Sequence, residues 1–554
     1  MLEQFFQGLT EVLKPETLAV MLLGMAIGYA VGILPGLGGA VTLALMLPFT
    51  FTMPPINAFA FLLGMLSVTA TAGDITSVLF GVPGEATTAA TVVDGHPMAK
   101  RGEAGRALGA ALMSSMVGAL IGAFALALVI PVIRPVVLAF GSPEFFMLTL
   151  LGIAFVAALS GGQVLKGLIA GGLGFLLSMI GLDQQTGIQR ATFGQLELWD
   201  GIGLVAITIG LFGIPEVVDL AVRGTSIAGE RAQRLGGVME GVRDTFRHWW
   251  LTIRSSVLGA VIGVVPGLGG AVAQWVAYAH AVQTSPRTDA HGRRFSEGRI
   301  EGVLGPGAAN NSKEGGNLIL TVAFGVPGSV SMAILLGAFL IKGLQPGPDM
   351  LDKNVVLTFS MVWTIVIANI VTVAISLLFI NQLVKITYLR GSLVIPFILF
   401  LVYFGAYAEK NAMFDVGLVL LFGALGWVMV QTSWPRPPLI LGLVLGRLTE
   451  RYLFLSVNRY DWEWLARPWV IVFFVAISAV IVYSIWREVS GKKPIEAEAE
   501  ASVLGALEPV SVGADGEDGG DGHGADGLDG VGRPPPAEPT PERVSPGPRD
   551  APQR

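Results

Sequence analysis

The sequence predicts an all-α polytopic membrane protein made of two homologous repeats with broken helices or re-entrant hairpins, in roughly ten to fourteen membrane segments. Of its 554 residues, 53% are hydrophobic and 14% are charged, whereas soluble domains carry about 25% charged residues. A ten-residue stretch centred on Pro-Gly-Leu-Gly-Gly occurs twice, at Gly32–Val41 and Gly263–Val272, and eight of its ten positions are identical. Apolar runs surround both copies, as expected for helices interrupted inside a membrane.

A second motif pair indicates an internal repeat. Leu79–Glu85 has the sequence LFGVPGE, and Ala323–Ser329 has the sequence AFGVPGS. The proline of the first motif recurs after 231 residues and that of the second after 244, in the same order. This spacing is far too long for a solenoid, so it predicts two halves of one membrane protein. Repeats of this kind are commonly inverted, which is the arrangement we expect, although the sequence alone does not fix the number of spans between them.

Composition divides the chain into six segments. The linker between the repeats carries six arginines against three acids, so the positive-inside rule predicts a cytoplasmic location. The C-terminal tail holds 13 acidic and 6 basic side chains and is rich in Gly and Pro, so we expect it to be disordered and cytoplasmic. The segments are an N-terminal segment without a cleavable signal peptide (1–16), the first membrane repeat (17–222), the basic linker (223–254), the second repeat with additional helices (255–446), an interfacial segment with the last transmembrane helix (447–490), and the tail (491–554).

Apolar runs predict the membrane helices in order. Those of the first half are Thr17–Leu34, Ala40–Leu47, Asn57–Gly81, Ala107–Ile130, Glu144–Leu159, Gln163–Ile180 and Gly201–Leu220. Those of the second half are Ser255–Val265, Leu318–Phe324, Val355–Asn381, Ser392–Ala408, Met413–Val430, Leu439–Gly446 and Pro468–Trp486. Between them, Val93–Arg106 predicts a polar cytoplasmic turn, and Asp183–Asp200 predicts a loop outside the membrane.

The Pro-Gly-Leu-Gly-Gly breaks predict an anion-binding site. Proline removes a backbone donor and glycine adds conformational freedom, so each motif interrupts its helix. Interrupted backbone at membrane depth is tolerated only where protein or a water-filled cavity satisfies it. The helix that follows would point its N-terminal amides into the break and attract an anion. The alternative is a structural kink, which the recurrence of the intact glycines disfavours.

Two acidic residues near the first break are candidates for a cation site. Asp74 lies in an apolar segment with five hydroxyl residues, and Glu85 follows the Gly-Val-Pro-Gly motif. Burying an acid in a membrane is costly, so such residues are functional candidates. Carboxylates flanked by hydroxyls also supply hard oxygen ligands. Alternatively, Glu85 caps the start of the next helix or lies at an interface.

Gly305–Asn317, with the sequence GPGAANNSKEGGN, is the densest polar stretch near a motif. Asn310 and Asn311 offer neutral amide groups that suit a cation or a carboxylate. Lys313 and Glu314 are able to pair with each other. The alternative for this stretch is a surface loop.

Other function classes lack their sequence features. No ATP-binding motif is present, so energy for transport would come from a gradient or a partner. The chain has no HExxH or GxSxG motif, its five histidines are scattered and it has no Cys, so we expect no enzyme, no metal centre and no organic cofactor. Nothing indicates nucleic-acid binding. A channel, with flux uncoupled from any gradient, is an alternative to a carrier.

Taken together, the motifs resemble those of the large membrane subunit of the tripartite tricarboxylate transporters. The resemblance rests on the PGLGG motifs, on GVPGE followed by VDGHPMAKRGEAGRAL, and on AANN followed by GVPGS and KGLQPGPD, and it covers about residues 15–485. It implies a multi-pass secondary carrier of the bacterial inner membrane that imports di- or tricarboxylates with a cation gradient, usually sodium. It also implies a periplasmic solute-binding protein and a small membrane subunit as partners. Proton coupling with another small organic anion is the alternative.

The site prediction places both pairs of breaks near the membrane midplane. Backbone amides and polar side chains of the two halves hold the substrate carboxylates, while Asp74 and Glu85 hold the coupling cation. The predicted substrate-binding residues are Pro35, Gly36, Gly38, Gly39, Gly84, Thr87, Thr88, Gly267, Gly269, Gly270, Asn310, Asn311, Gly328 and Ser329.

Overall fold

The structure, a computed structural model, describes residues 1–33, 38–158, 163–183, 185–223, 235–266, 269–383 and 391–490. The predicted site residues Pro35, Gly36 and Gly267, part of the basic linker and the whole acidic tail lie outside these ranges. The described residues form helices and one short antiparallel hairpin, in which β1 (Gly181–Leu182) pairs with β2 (Gln189–Arg190).

The first half begins with a short helix and continues through two broken elements. Its helices are α1 (Leu2–Val12), α2 (Pro15–Gly32), α3 (Gly39–Met46), α4 (Pro55–Phe80), α5 (Ala89–Lys100), α6 (Ala104–Ala139), α7 (Ser142–Ala158), α8 (Val164–Ser178), α9 (Leu204–Thr208) and α10 (Ile214–Arg223). A 3₁₀ turn at Ala86–Thr88 precedes α5, and a π-helical segment at Ile209–Gly213 joins α9 to α10.

The second half of the chain begins in the described part of the linker. Its helices are α11 (Val238–Arg247), α12 (Trp249–Gly263), α13 (Gly269–Thr284), α14 (Glu301–Phe324), α15 (Val330–Ile341), α16 (Pro348–Leu351), α17 (Val355–Leu383), α18 (Gly391–Lys410), α19 (Met413–Gln431), α20 (Pro437–Tyr460) and α21 (Pro468–Val489).

Helix ends follow the sequence signals. Proline lies in the first turn of α2, α4, α20 and α21, where its missing N–H costs no helical hydrogen bond. Both α4 and α14 end at a glycine with a positive φ of 68°, Gly81 and Gly325. A residue with a Cβ is strained in this left-handed conformation. These glycines begin the two Gly-Val-Pro-Gly motifs, so each motif ends its helix at the predicted place.

Six helices among the described residues are long and apolar enough to cross a membrane, namely α2, α4, α6, α17, α19 and α21. Shorter apolar helices include α7, α8 and α15. The all-helical, membrane-compatible fold is therefore confirmed, whereas the predicted total of membrane segments stays a prediction. α4 differs from the other five because nearly all of its apolar stretch is buried inside the protein, so it is a central helix without a large lipid-facing surface.

The helices pack closely where glycines meet backbone. A Cβ at Gly28 of α2 would lie 2.6 Å from the carbonyl oxygen of Met65 on α4, and a Cβ at Gly263 of α12 would meet the carbonyl oxygen of Lys313 on α14. Small residues at such positions let membrane helices approach to backbone contact. The α2–α4 and α12–α14 pairs therefore pack in the same way, with a glycine of the first helix against the backbone of the second.

One end of the assembly gathers basic residues and is here called the linker face. Arg106 at the start of α6 donates to Asp244 of α11 across 2.6 Å. Arg101, after the end of α5, donates to the carbonyl of Gly298 across 2.7 Å. The end of α5, the start of α6, α11 and the 285–300 loop between α13 and α14 therefore lie at one end.

The other end is here called the far face. Asn57 at the start of α4 donates to Glu16 at the start of α2 across 3.1 Å. Lys342, directly after α15, donates to the carbonyl of Met53 across 2.6 Å. Thus α2 and α4 begin at the far face, whereas α12 follows α11 and begins at the linker face. α14 begins there too, because Glu301 lies 4.0 Å from His248.

Two predictions about polar stretches are corrected. The turn predicted at Val93–Arg106 is wrong for most of its length, because α5 continues to Lys100 and only the last residues before α6 turn. Its polar side chains are tolerated because protein groups of the 285–300 loop replace water around them. The surface-loop alternative for Gly305–Asn317 is also wrong, because these residues lie inside α14 and are buried.

Two further segments are more helical than predicted. The helix predicted at Leu439–Gly446 continues in α20 to Tyr460, so residues assigned to an interfacial segment extend the same helix. The described part of the linker contains the amphipathic helix α11, which packs on α6 through Gly241 and the Arg106 carbonyl.

Candidate functional site

The polar centre of the protein lies where α4 passes α14. Asn310 donates to the carbonyl of Ala70 across 3.0 Å and to Asp74 Oδ2 across 3.2 Å. Asn311 donates to Thr71 Oγ1 across 2.7 Å and to Asn369 Oδ1 of α17 across 2.7 Å. All of these side chains are buried, so two sequence candidates 236 residues apart, Asp74 and Asn310, meet in a water-poor interior.

Several buried atoms at this centre have no hydrogen-bond partner within the described residues. They are Asp74 Oδ1, Thr91 Oγ1, Asn310 Oδ1 and Asn311 Oδ1. The Thr91 hydroxyl lies against the Asp74 carboxylate without forming a hydrogen bond of good geometry. Native proteins rarely leave such atoms unsatisfied, so their grouping indicates a place for a bound species.

Glu85 occupies the N-terminus of α3. Its Oε2 accepts a hydrogen bond from the backbone N–H of Gly39 across 3.0 Å, and its Oε1 accepts one from the Thr87 hydroxyl across 2.6 Å. The anion position predicted at the first break is thus filled by the protein's own carboxylate. Glu85 is also the N-cap residue of the 3₁₀ turn at Ala86–Thr88 that precedes α5, which agrees with the capping alternative, while its predicted role as a cation ligand stays a prediction.

The second break faces a lysine. A Cβ at Gly270, the second residue of α13, would lie 2.7 Å from Lys313 Nζ and would also meet the Thr87 side chain. Lys313 donates to Glu314 Oε1 across 3.1 Å, and both side chains are buried. A side chain at position 270 would therefore displace the end of Lys313, which passes between the start of α13 and the turn before α5.

Lys313 lies beside the second break but is not among the residues that the sequence predicts for the site. The sequence indicates that it is able to pair with Glu314, and the structure confirms that pair. The signal that would have placed it in the site is its position, because it is the lone basic residue of α14. Burying an ammonium group is costly, so such a residue is a candidate for the site.

The remaining predicted residues have identified places. Gly38 lies against Glu85, and Gly269 begins α13. Thr88 accepts a hydrogen bond from the Ser77 hydroxyl across 2.8 Å. Ser329 caps α15 by accepting from the Met332 N–H. Gly84 packs on Gly73, and Gly328 packs on Asn317 and the Gly263 carbonyl.

Nearer the linker face, Asp94 of α5 links three elements. It accepts hydrogen bonds from the Tyr278 hydroxyl of α13 across 2.7 Å and from the backbone N–H groups of Gly298 and Arg299 across 2.8 Å each. Hydrogen bonds to an ionised carboxylate are stronger than those between neutral groups, so Asp94 holds α13 and the 285–300 loop to α5. The 285–300 loop is thereby attached to α5 and α13.

The 285–300 loop is also ordered internally. Asp289 accepts from the backbone N–H groups of His291 and Arg293 across 2.8 Å each. Burial raises the pKa of Asp289, but the hydrogen bonds from Arg293 and His291 outweigh it and bring the pKa to about 2. Asp289 is therefore ionised at neutral pH, and the contribution of its bonds to stability is lost only as the pH falls through that low value.

Replacing Asp94 with alanine is expected to release the loop. Three hydrogen bonds to a charged acceptor are lost, each worth about 1.5–3 kcal/mol. Trypsin cleavage at the exposed Arg294 should accelerate by at least about tenfold as local opening becomes easier. The control is Glu240→Ala, which removes an exposed acid at the same face whose ion pair is with Arg106 of α6. Equal cleavage rates in the two variants would contradict the assigned attachment.

Within the described residues, no three His, Asp or Glu side chains come together as the ligands of a transition metal would. The polar centre instead combines amides, hydroxyls and single carboxylates with one lysine. Such groups suit a small organic anion together with a hard monovalent cation.

Comparison with known proteins agrees with the motifs. The profile of the tripartite tricarboxylate transporter TctA family matches residues 18–441. An uncharacterized 52.8 kDa protein of the TAR-I ttuC' 3'region of Agrobacterium vitis is 34% identical over 449 residues, covering 80% of this chain and 88% of the relative. An uncharacterized protein of the TAR-II ttuC' 3'region is 32% identical over 195 residues, covering 35% of this chain and 79% of that relative. No solved structure matches. The chain therefore belongs to the tripartite tricarboxylate transporter TctA family.

Proposed function

We propose that this chain is a secondary carrier that imports di- or tricarboxylates, driven by a cation gradient, which we take to be sodium. Its family consists of the large membrane component of tripartite transporters, so the chain is a multi-pass membrane protein that works with partner proteins. The observation that carries the proposal is the contact of Gly270 with both Lys313 and Thr87. This contact brings together the second break, the buried ammonium group of Lys313 and the turn before α5 that carries Thr87.

The direction of the helices supports two inverted repeats. α2 and α4 begin at the far face, whereas α12 and α14 begin at the linker face. Two contacts between the halves are also related by the motif offsets. Gly39 approaches Ser331, and Gly270 approaches Thr87. Gly270 is 231 residues after Gly39, and Ser331 is 244 residues after Thr87. A two-fold axis in the membrane plane relates two contacts in this way.

The repeats differ where the substrate would bind. In the first half, Glu85 fills the N-terminus of the helix after the break. The corresponding position in the second half is Ser329, which carries no charge and caps its own helix. The start of α13 thus has no equivalent acid and lies beside Lys313. A substrate carboxylate is proposed to bind there, where helix amides and an ammonium group attract it.

The local charges favour coupling to a cation. Glu85 and Lys313 are both close enough to act electrostatically on Asp74, and Glu314 pairs with Lys313. Three acidic side chains, Asp74, Glu85 and Glu314, therefore lie near one basic side chain, Lys313. A substrate with two or three negative charges would be repelled from this centre unless cations entered with it. Cotransported cations remove that repulsion, which is the physical basis for gradient-driven import.

The proposed orientation follows the basic residues. The linker face carries Arg101, Arg106, Arg247, Arg254 and Arg294, so we place it in the cytoplasm by the positive-inside rule. The far face then points to the periplasm of a bacterial inner membrane, where a solute-binding protein would deliver the substrate. A small membrane subunit completes the proposed complex.

The test of the function is uptake by proteoliposomes that contain this chain with its small subunit. Labelled di- and tricarboxylates are offered with and without the binding protein, under a sodium gradient or a proton gradient. Uptake that needs both the binding protein and sodium supports the proposal and names the substrate. Uptake that follows only a proton gradient would support the alternative coupling ion. Rapid flux that needs no gradient and no binding protein would favour a channel.

Replacing either Asn310 or Asn311 with alanine is expected to abolish uptake while the protein is still expressed. Both amides are buried at the crossing of α4 and α14, and their loss removes the hydrogen bonds that they donate to Asp74, Thr71 and Asn369. Each unpaired buried group costs about 1–3 kcal/mol. The exposed Asn458→Ala serves as the control for uptake and for yield. Normal uptake by both site variants would contradict the site.

A further inference from the structure

Three buried side chains, one each from α4, α5 and α14, have an oxygen without a hydrogen-bond partner among the described residues. The oxygens belong to Asp74 (Oδ1), Thr91 (Oγ1) and Asn310 (Oδ1), and each side chain is fully buried. The three groups are close together, since Asn310 Nδ2 is 3.2 Å from Asp74 Oδ2 and the Thr91 hydroxyl lies against the same carboxylate. Orphaned oxygens grouped in this way mark a place for an ion or a water.

Two contacts show how α13 lies beside α5. At the start of both elements, Gly270 meets the Thr87 side chain. Two turns further on, Tyr278 donates to Asp94 across 2.7 Å. Residue numbers increase along both α13 and α5 from the first contact to the second. The two helices are therefore parallel, and the same helix faces pack together between the two contacts.

This register places Gln274 opposite Thr91. Gln274 is four residues after Gly270 and four before Tyr278, while Thr91 is three residues before Asp94. Residues three or four apart share a helix face, and helical side chains lean toward the N-terminus of their helix. Gln274 therefore points at the level of the orphaned oxygens. It is fully buried, and neither its Oε1 nor its Nε2 has a partner in the described structure.

We propose that Asp74, Thr91, Gln274 and Asn310 form the binding site of the coupling sodium ion. This inference rests on the proposed function and adds the residues that would hold its cation. The site offers one carboxylate, two amide oxygens and one hydroxyl. Hard cations prefer such oxygen ligands, and the single negative charge matches a monovalent ion.

A water alone would not account for the carboxylate. Asp74 receives one hydrogen bond of good geometry from protein, donated by the neutral amide of Asn310. The nearby base, Lys313, is paired with Glu314. A buried carboxylate without a cationic partner is strongly unfavourable, whereas a bound cation removes the uncompensated charge.

The site explains how ion and substrate binding would be linked. Gly270 and Gln274 lie on successive turns of α13, the first beside Lys313 and the second at the proposed ion. Thr87 and Thr91 are likewise one turn apart. A sodium ion would fix the same two elements that present the substrate-binding groups, so each ligand would raise the affinity for the other. The inference also moves Asn310 from the substrate to the cation.

The experiment measures thermal unfolding of the purified full-length protein while NaCl replaces choline chloride at constant ionic strength. Sodium is expected to raise the unfolding temperature of the wild type by mass action. Thr91→Val and Gln274→Met keep nearly the same side-chain volume but each remove an oxygen ligand, so each should weaken apparent sodium affinity by at least about tenfold. Thr372→Val is the matched control. Thr372 is also fully buried with an unpartnered hydroxyl, but its carbonyl contacts Tyr29 on α2.

The same variants are then compared in uptake. Thr91→Val and Gln274→Met should need more sodium for half-maximal uptake, with the maximal rate recovered at high sodium. A sodium response in both variants equal to that of Thr372→Val would overturn the site while leaving carboxylate import intact. An absence of any sodium-dependent stabilisation in the wild type would also overturn it. Failure of the wild type to import any carboxylate would instead count against the proposed function.

Discussion

Replacing Lys313 with methionine is expected to abolish substrate uptake. Methionine keeps the length of the apolar stem, so Gly270 and Thr87 retain a neighbour, but the ammonium group is lost. A hydrogen bond between charged groups is worth about 3 kcal/mol at the upper end, so substrate affinity should fall about 100-fold. The measurements are initial uptake rate and substrate-induced stabilisation against unfolding. Lys353→Met is the control, because Lys353 is highly exposed and pairs with Asp349 instead of with a group of this centre.

Replacing Glu314 with glutamine is expected to change substrate-induced stabilisation in the opposite direction. In the structure its carboxylate holds Lys313 where a substrate carboxylate would bind. Glu314→Gln leaves the lysine without its anionic partner, which destabilises the empty protein. A bound substrate would restore that partner, so substrate should stabilise this variant more than it stabilises the wild type. Normal uptake by Lys313→Met would contradict the assignment of Lys313 as a substrate-binding residue.

Replacing Gly118 with alanine is expected to prevent stable folding. Gly118 on α6 faces the Ala308 backbone on α14, and a Cβ there would overlap the Ala308 carbonyl oxygen. Backbone atoms cannot move aside as a flexible side chain can, so α6 and α14 would have to separate. Overpacking of this kind costs about 1–3 kcal/mol or more. The measurement is the yield of monodisperse protein after extraction, together with its unfolding temperature.

The control for this substitution is Gly417→Ala on α19. A Cβ at Gly417 would meet nothing within 4 Å, and alanine has the higher helix propensity. Yield and unfolding temperature should therefore match or exceed those of the wild type. If Gly118→Ala were as stable as Gly417→Ala, the close approach of α6 to α14 would be wrong.

The sequence anticipated the elements that interrupt the helices. Both Gly-Val-Pro-Gly motifs end a helix at a glycine with positive φ, because proline and glycine act through local backbone geometry. The sequence also indicates Asp74, as an acid in an apolar segment, and Asn310, as part of the densest polar stretch near a motif. Local chemistry was sufficient for these predictions.

The partners of those residues were not accessible in the same way. The Glu85 carboxylate meets the Gly39 amide across 46 residues, and Asp94 meets Tyr278 across 184. Such contacts depend on how whole helices pack, and the polar residues of α5 predicted a turn because their buried partners are far away in sequence. Gln274 gave no signal, since one glutamine in an apolar helix is unremarkable until its neighbours are known.

The central claim is that the polar centre couples carboxylate import to a sodium gradient. The most direct measurement is the ratio of internal to external labelled carboxylate in proteoliposomes with the complete transporter and an inward sodium gradient. The account predicts accumulation above the external concentration, and loss of that accumulation when an ionophore dissipates the gradient. Entry that stops at equal concentrations inside and outside, with or without the gradient, would contradict it.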